Sequence, residues 1–244
     1  MDKRIIDKFS KYYRGGEIQK KIGENLIALI SDNFHKVLEI GCGDGQFTRM
    51  FKERFGGRII SLDVSEKMVS LAKNRVENVK FVVADGEALP FKVKEGFDLI
   101  VSNVCFQWFN SLACLEKYKN FLSKDGVLLF SIFGKTTLNE LAFSLNELFK
   151  DDVKIKALSF PSKEEIEEIL RKIFRDYVIK DEVIKKEYGS IMELLLSIRY
   201  SSSLNRKMLW TKGILERLDR IYRDKFNTIF ATYEVFLCKG QNTK

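Results

Sequence analysis

Residues 37–45, Val-Leu-Glu-Ile-Gly-Cys-Gly-Asp-Gly, place a short apolar run, an acid and three glycines at alternate positions within nine residues. Such a run, closed by glycines, reads as a buried parallel strand, a tight turn and the first turn of a helix. Glycine serves where the backbone takes positive φ or lies close to a ligand. The N–H groups that open the following helix suit an anionic group. The spacing is G-x-G-x-G, not the G-x-G-x-x-G of dinucleotide-binding turns. Asp63 closes the next apolar run, Ile59-Ile60-Ser61-Leu62, 22 residues after Gly41. An acid at that strand end can accept both hydroxyls of a ribose. Ala84-Asp85 closes a third run, Val79 to Val83.

The rest of the chain extends the alternation. From Glu17, Ile18, Ile22, Leu26, Leu29 and Ile30 keep helical spacing, and the helix is expected to end near Ser31-Asp32-Asn33. Phe47, Met50, Phe51 and Phe55 mark a second helix, stopped by Gly56-Gly57. Ser65 caps a third, with Met68, Ala72 and Val76 inward. Phe97 to Val101 reads as a fourth strand, a helix carries Leu112, Leu115, Phe121 and Leu122, and Val127 to Phe133 is a fifth strand. Strand–helix units of this kind predict a parallel sheet with helices on both faces. After Gly134 helical stripes dominate: Leu138 to Phe149; a helix opened by a Ser162/Glu165 capping box; one opened by Ser190/Glu193 and running through Arg199; and one over Ile214 to Ile221. Tyr177 to Tyr188 and Thr228 to Cys238 are strand candidates. The expected organisation is one domain over 1–244: a cap (1–36), a core (37–133), a helical lid with one sheet strand (134–225) and a final strand (226–244). The lid is expected over the carboxyl ends of the strands, where ligands of α/β sheets sit.

No apolar run approaches the ~18 residues of a membrane span, and the first residues carry no signal-peptide core. Cys42, Cys105, Cys114 and Cys238 form no C-x-x-C pair. That pattern predicts reduced thiols, a cytoplasmic protein and no metal site. His35 is expected in a surface loop without a role. The net charge of +8 fits an acidic partner, but the basic residues form no block of five.

The acids and glycines at the strand ends together resemble the nucleoside site of class I S-adenosylmethionine (SAM) methyltransferases. The expected fold is therefore α/β and Rossmann-like, with a seven-stranded, mostly parallel sheet. Asn103 with Gln107-Trp108, then Thr137-Leu138-Asn139-Glu140-Leu141, Phe160-Pro161-Ser162 and Thr232-Tyr233-Glu234-Val235, are similar to the malonyl-acyl-carrier-protein O-methyltransferases of biotin synthesis. The Gln-Trp pair recurs in related carboxyl methyltransferases, including those acting on trans-aconitate. Two features depart from the family. Phe9-Ser10-Lys11-Tyr12-Tyr13 is short, leaving Tyr12 and Tyr13 as alternatives, and Lys124-Asp125-Gly126 replaces Pro-Gly-Gly.

The resemblance implies methyl transfer from SAM to the free carboxylate of a malonyl thioester on acyl carrier protein, or on coenzyme A; a monomer is expected. The ester masks the charge, so that the chain can enter fatty acid elongation. Glu39 or Asp44 would contact the SAM amino group, with Gly41, Cys42, Gly43 and Gly45 making room. Asp63 would take the ribose, flanked by Val64 and Met68. Asp85 with Gly86 would meet the adenine, unless Asp85 merely forms a turn. Asn103, Gln107, Trp108 and Tyr12 or Tyr13 would position the carboxylate without a general base, because a carboxylate of pKa ~4 is already ionised. Phe106 is expected in the core. Arg199 either recognises the substrate carboxylate or stabilises a helix end. Three alternatives stand beside this reading. They are another small-acid carboxyl methyltransferase, a SAM-binding assembly factor, and a nucleic-acid methyltransferase. Ser102-Asn103-Val104-Cys105-Phe106 lacks the Asn-Pro-Pro-Tyr pattern of the last.

Overall fold

In a computed structural model, which describes residues 16–31, 33–91, 96–150, 155–199 and 210–242, the run before the glycines is strand β1 (Lys36–Ile40). Val37, Leu38 and Ile40 are all fully buried. A strand apolar on both faces belongs in a sheet covered on both sides. Strands β2 (Arg58–Asp63), β3 (Lys80–Val83), β4 (Phe97–Asn103) and β5 (Leu122–Phe133) follow. β1 pairs in parallel with β2 and β4, β2 with β3, and β4 with β5. β6 (Asp176–Glu187) and β7 (Phe230–Gln241) complete a seven-stranded sheet in the order β3-β2-β1-β4-β5-β7-β6. β7 is antiparallel to β5: the Asn242 N–H donates to the Gly126 carbonyl at 2.8 Å, and the Gly134 N–H to the Glu234 carbonyl at 2.9 Å. The expected mostly parallel sheet of seven strands is thus the fold. Its order reverses at β1, and the crevice beyond the carboxyl ends of β1 and β4 is where such sheets take ligands.

The helices among the described residues are α1 (Glu17–Ile27), α2 (Gln46–Arg54), α3 (Glu66–Arg75), α4 (Cys114–Tyr118), α5 (Asn139–Phe149), α6 (Lys163–Ile173), α7 (Ile191–Arg199) and α8 (Lys212–Phe226). Ser65 caps α3 through the Met68 N–H, and Ser162 and Glu165 form the expected reciprocal box on α6. At α7 the Glu193 N–H bonds Ser190 Oγ, but the Glu193 carboxylate accepts from the Gly189 N–H, one residue earlier than a capping box requires. Several boundaries differ from expectation. α1 ends at Ile27 and continues as turns. Helix α4 stops at Tyr118, and Leu122 already belongs to β5, because a register shift between Phe97 and Leu99 lets β4 pair with an earlier stretch.

The chain divides into two compact units. One contains Ile18–Ile132, Pro161–Glu182 and the residues from Phe236 on. Its core joins alternate residues of five strands, Leu38, Ile60, Ile100, Phe130 and Phe236 among them, to Leu115 and Tyr118 of α4 and Ile166 and Leu170 of α6. Each fully buried side chain of this size contributes about 1.5–3 kcal/mol.

The other unit holds Phe133–Phe160 and Val183–Val235. Here the segments Thr137–Leu141 and Thr232–Val235 clasp each other. The Glu140 carboxylate accepts from the Thr232 N–H (3.1 Å) and hydroxyl (2.5 Å), while the Glu234 carboxylate accepts from the Thr136 N–H (2.9 Å). Thr137 Oγ1 bonds both the N–H and the carbonyl of Glu234, at 3.2 Å each. Leu138 enters this clasp with φ +63° and donates its N–H to the Thr232 carbonyl. Ordinary leucine avoids that conformation, at roughly 1–2 kcal/mol. The two sequence patterns thus occur together for a local reason: each supplies the other's hydrogen-bond partners.

Candidate active site

Gly41, Gly43 and Gly45 all take left-handed φ, at 77°, 52° and 83°. The Gly41 and Cys42 N–H groups bond the Leu62 carbonyl, which fastens the turn to the end of β2. A Cβ on Gly41 would run into the Cys105 thiol. At Gly43 a Cβ would meet nothing within 4 Å. Gly41 is therefore glycine for packing, whereas Gly43 leaves open space beside the backbone.

Asp63 sits at the open end of β2. One carboxylate oxygen accepts the Gly43 N–H at 3.0 Å, the other the Ser65 N–H at 2.9 Å. The glycine turn and the start of α3 are thus referenced to one carboxylate. Glu39 points inward and is 2 % exposed. Its Oε2 accepts hydroxyl bonds from Ser61 (2.5 Å) and Thr48 (2.7 Å). Burial pushes its pKa up to about 7; the two hydroxyls lower it only in part, and Asp63 raises it further. Asp44, by contrast, is half-exposed and paired to Arg75 at 2.7 Å, with its other oxygen on the Gln46 N–H. Burial also holds the Cys42 thiol well above its usual range, so it is neutral at pH 7.

Val64 is 72 % exposed, an unusual position for a β-branched apolar residue at a buried strand's end. Met68 is partly buried on α3. Asp85 is exposed and accepts the Glu87 N–H, so one of its oxygens does form a turn. The buried Gly86 lies against Phe109, and its carbonyl takes the Tyr118 hydroxyl at 2.9 Å.

After β4 the chain makes a strained turn. Val104 has φ +45°, a conformation that a β-branched residue adopts only when its surroundings hold it there. Its N–H bonds Ser131 Oγ at 2.9 Å, and its carbonyl takes the Gln107 side-chain N–H at 2.6 Å. Gln107 is 5 % exposed, and its Oε1 has no hydrogen-bond partner among the described residues. Asn103 donates to the Gln19 carbonyl of α1 (2.9 Å) and accepts from Ser131 Oγ (2.7 Å). Phe106 is fully buried against Phe109, Tyr118 and Phe130, in the core as expected, while Trp108 is partly buried.

The expected residues Glu39, the glycines, Asp63, Asn103 and Gln107 therefore share the carboxyl edge of neighbouring strands. Asp85 and Val64 occupy the adjoining strand ends. Tyr12 and Tyr13 lie outside the described residues, as does the Arg199 side chain at the end of α7. Sequence reasoning missed the partners: Thr48, Ser61 and Ser131. The signal was present in the strands, where Ser61 and Ser131 are single hydroxyls inside apolar runs.

A sheet in this order with an antiparallel seventh strand, glycine turn after β1 and acid after β2, defines a class I SAM-dependent methyltransferase fold. Residues 37–126 match the profile of the family described as Methyltransferase domain. The YcgJ protein of Bacillus subtilis superposes with a TM-score of 0.65 at 17% identity, over 92% of this chain and 99% of that one. Full-length relatives are more specific. Malonyl-[acyl-carrier protein] O-methyltransferase 1 of Ilyobacter polytropus is 31% identical, over 92% of this chain and 87% of its own. The malonyl-[acyl-carrier protein] O-methyltransferase of Bacillus cereus is 30% identical over 96% and 93%. The chain belongs to the malonyl-[acyl-carrier protein] O-methyltransferase family.

Proposed function

We propose that this protein methylates the free carboxylate of a malonyl thioester carried on acyl carrier protein, with SAM as methyl donor. Family membership carries this reading. Two features of the site fit SAM: the open space at Gly43, where a Cβ would otherwise stand, and Gln107 Oε1, an acceptor without a partner among the described residues. SAM supplies an electrophilic methyl group on a sulfonium. Asp63 holds the ribose, Val64 and Met68 border the adenine, and Asp85 with Gly86 meets its polar edge. The glycine turn takes the amino acid end, with Glu39 as its buried counter-charge; Asp44, paired to Arg75, is the weaker candidate for that contact.

The remaining steps concern the acid. A malonyl carboxylate is ionised at neutral pH, so the chain needs no base. Its task is to hold one oxygen in line with the methyl group, a constraint that contributes roughly 7–11 kcal/mol. Charge disappears along the path, so an apolar, water-poor surround favours the transition state. A cation on the attacking oxygen would instead stabilise the ground state. Asn103 and Gln107 suit the task, because each amide keeps a second N–H beyond the one it uses on a backbone carbonyl. Trp108, and Tyr12 or Tyr13, are further candidates for positioning the carboxylate, and Arg199 is the candidate for recognising its far oxygen. The single chain 1–244 acts as one methyltransferase domain, as a monomer in the cytoplasm, and its +8 charge suits an acidic carrier protein. Malonyl-coenzyme A is the smaller substitute. Among the described residues no helix is long and apolar enough to cross a membrane.

Mass spectrometry tests the substrate. Malonyl-carrier protein incubated with SAM and this protein is expected to gain one methyl group, whereas succinyl-carrier protein and trans-aconitate remain unmodified. Ester on trans-aconitate alone would transfer the reading to another carboxyl methyltransferase. A second test isolates the glycine turn. Gly43→Ala strains only a left-handed backbone, at roughly 1–2 kcal/mol, since its Cβ enters open space. The variant is expected to fold with a slightly lower melting temperature and to lose SAM affinity by at least about tenfold. Unchanged affinity would show that the cofactor passes elsewhere.

A further inference from the structure

We propose that Ser131 is a positioning residue for methyl transfer, acting through Asn103 on the strained turn after β4. The inference rests on the reading above that this turn meets the reacting carboxylate. Ser131 lies on β5, fully buried, in the run Leu-Leu-Phe-Ser-Ile-Phe, where every neighbour is apolar. A hydroxyl there has no packing advantage over Ala or Val and requires partners to offset its desolvation. It has two. Its proton goes to Asn103 Oδ1 at 2.7 Å, and its oxygen accepts the Val104 N–H at 2.9 Å.

Those bonds have unequal consequences. The Val104 N–H also reaches the Ser131 carbonyl at 3.1 Å, so it keeps an acceptor without the hydroxyl. Asn103 Oδ1 has the Ser131 proton as its partner, and that bond fixes which end of the amide faces β5. With the oxygen turned there, the Nδ2 end faces α1 and holds the Gln19 carbonyl. The second Nδ2 proton is thereby aimed in one direction. Removal of the Ser131 hydroxyl takes the donor from a partly buried amide oxygen and removes the reason for this orientation. Amide reversal would then present oxygen to the Gln19 carbonyl and to the substrate carboxylate, repulsive on both sides. Ser131 thus sets the polarity of Asn103, while Gln107 secures the other end of the same turn through the Val104 carbonyl.

The expected signature is kinetic. Ser131→Ala should bind S-adenosylhomocysteine with the parent's stoichiometry and nearly its affinity. Its kcat per binding site should fall on the order of 10- to 100-fold, the scale of a misplaced reactant. Ser131→Thr, which keeps the hydroxyl, should recover most of the rate. A double-mutant cycle decides whether the route runs through Asn103: Ser131→Ala added to Asn103→Ala should cost little further, since the amide it orients is gone. A merely structural role predicts a lower fraction of binding-competent protein with normal kcat per site, and that result overturns the proposal. Additive losses in the cycle overturn it as well. Absence of ester from the parent protein is a different failure: it removes the functional reading, and the kinetic role with it.

Discussion

Asp63→Ala is expected to abolish measurable binding of both SAM and S-adenosylhomocysteine in calorimetry. The carboxylate does two jobs at once. It fixes the Gly43 and Ser65 N–H groups at 3.0 and 2.9 Å, and it is the proposed acceptor for the ribose diol. Hydrogen bonds to a charged group contribute about 1.5–3 kcal/mol each. Loss of the ribose contacts and a slackened turn together correspond to a fall on the order of 10²- to 10³-fold in affinity. Asp63→Asn separates the two jobs. Its side-chain oxygen can still accept one backbone N–H, but its NH2 end cannot accept a second donor, so an intermediate affinity is expected. A dissociation constant for Asp63→Ala equal to the parent's would place the nucleoside elsewhere and remove the cofactor assignment.

The residues that announced themselves in the sequence are those whose type is conspicuous against the local pattern. Three glycines in five positions signalled backbone conformations closed to other residues, and all three do take left-handed φ. The acids at strand ends stood out because a carboxylate is costly at the edge of an apolar run. Position along the strand then placed them, since parallel pairing in register brings Glu39 beside Ser61 and Asn103 beside Ser131. The hydrogen-bond partners were harder to read. Thr48 and Ser61 meet Glu39 from a helix and a neighbouring strand, contacts set by tertiary packing and not by spacing. Ser131 carried a local signal, a hydroxyl amid apolar neighbours, but its role depends on the sharp turn at Val104. Nothing in Asn-Val-Cys predicts a left-handed valine, because propensity there favours the extended backbone. β5 starts earlier than its apolar run implies for a similar reason: Lys124-Asp125-Gly126 carries turn-forming residues, yet Asp125 and Gly126 pair with Asn242 of the far C-terminal segment, which keeps the stretch within the sheet on the β7 side of β5.

The clasp in the second unit changes how the family-like segments are weighed. Thr137–Leu141 and Thr232–Val235 resemble the family closely, but the groups they share are occupied with each other. Glu140 and Glu234 therefore belong to the scaffold. The proposed contacts to the acid lie instead at the turn after β4, where the amides of Asn103 and Gln107 each spend one N–H on a backbone carbonyl and keep a second.

Between pH 4.5 and 7 the parent is expected to lose about 3 kcal/mol of stability relative to Glu39→Gln. Unfolded, the carboxyl has its ordinary pKa of 4.5; folded, burial moves it to about 7. Folding therefore takes up a proton in this interval. The group's favourable contribution is complete below 4.5, declines as pH rises toward 7, and is absent above that. Glutamine has no charge to desolvate, and its side-chain oxygen can still accept from Ser61 and Thr48, so its curve lacks this decline. Urea unfolding of both proteins at matched pH values measures the difference directly. Ligand linkage carries the opposite sign. A bound cation favours ionised Glu39, so SAM affinity in the parent should rise as pH increases through 7, whereas Glu39→Gln should bind weakly and without that rise. A stability gap that stays constant from pH 5 to 8 would mean that Glu39 is ionised throughout, held by a positive partner rather than by burial. A pH-independent SAM affinity beside a normal stability gap would instead detach this carboxyl from the cofactor and leave it as a strut between β1, β2 and α2.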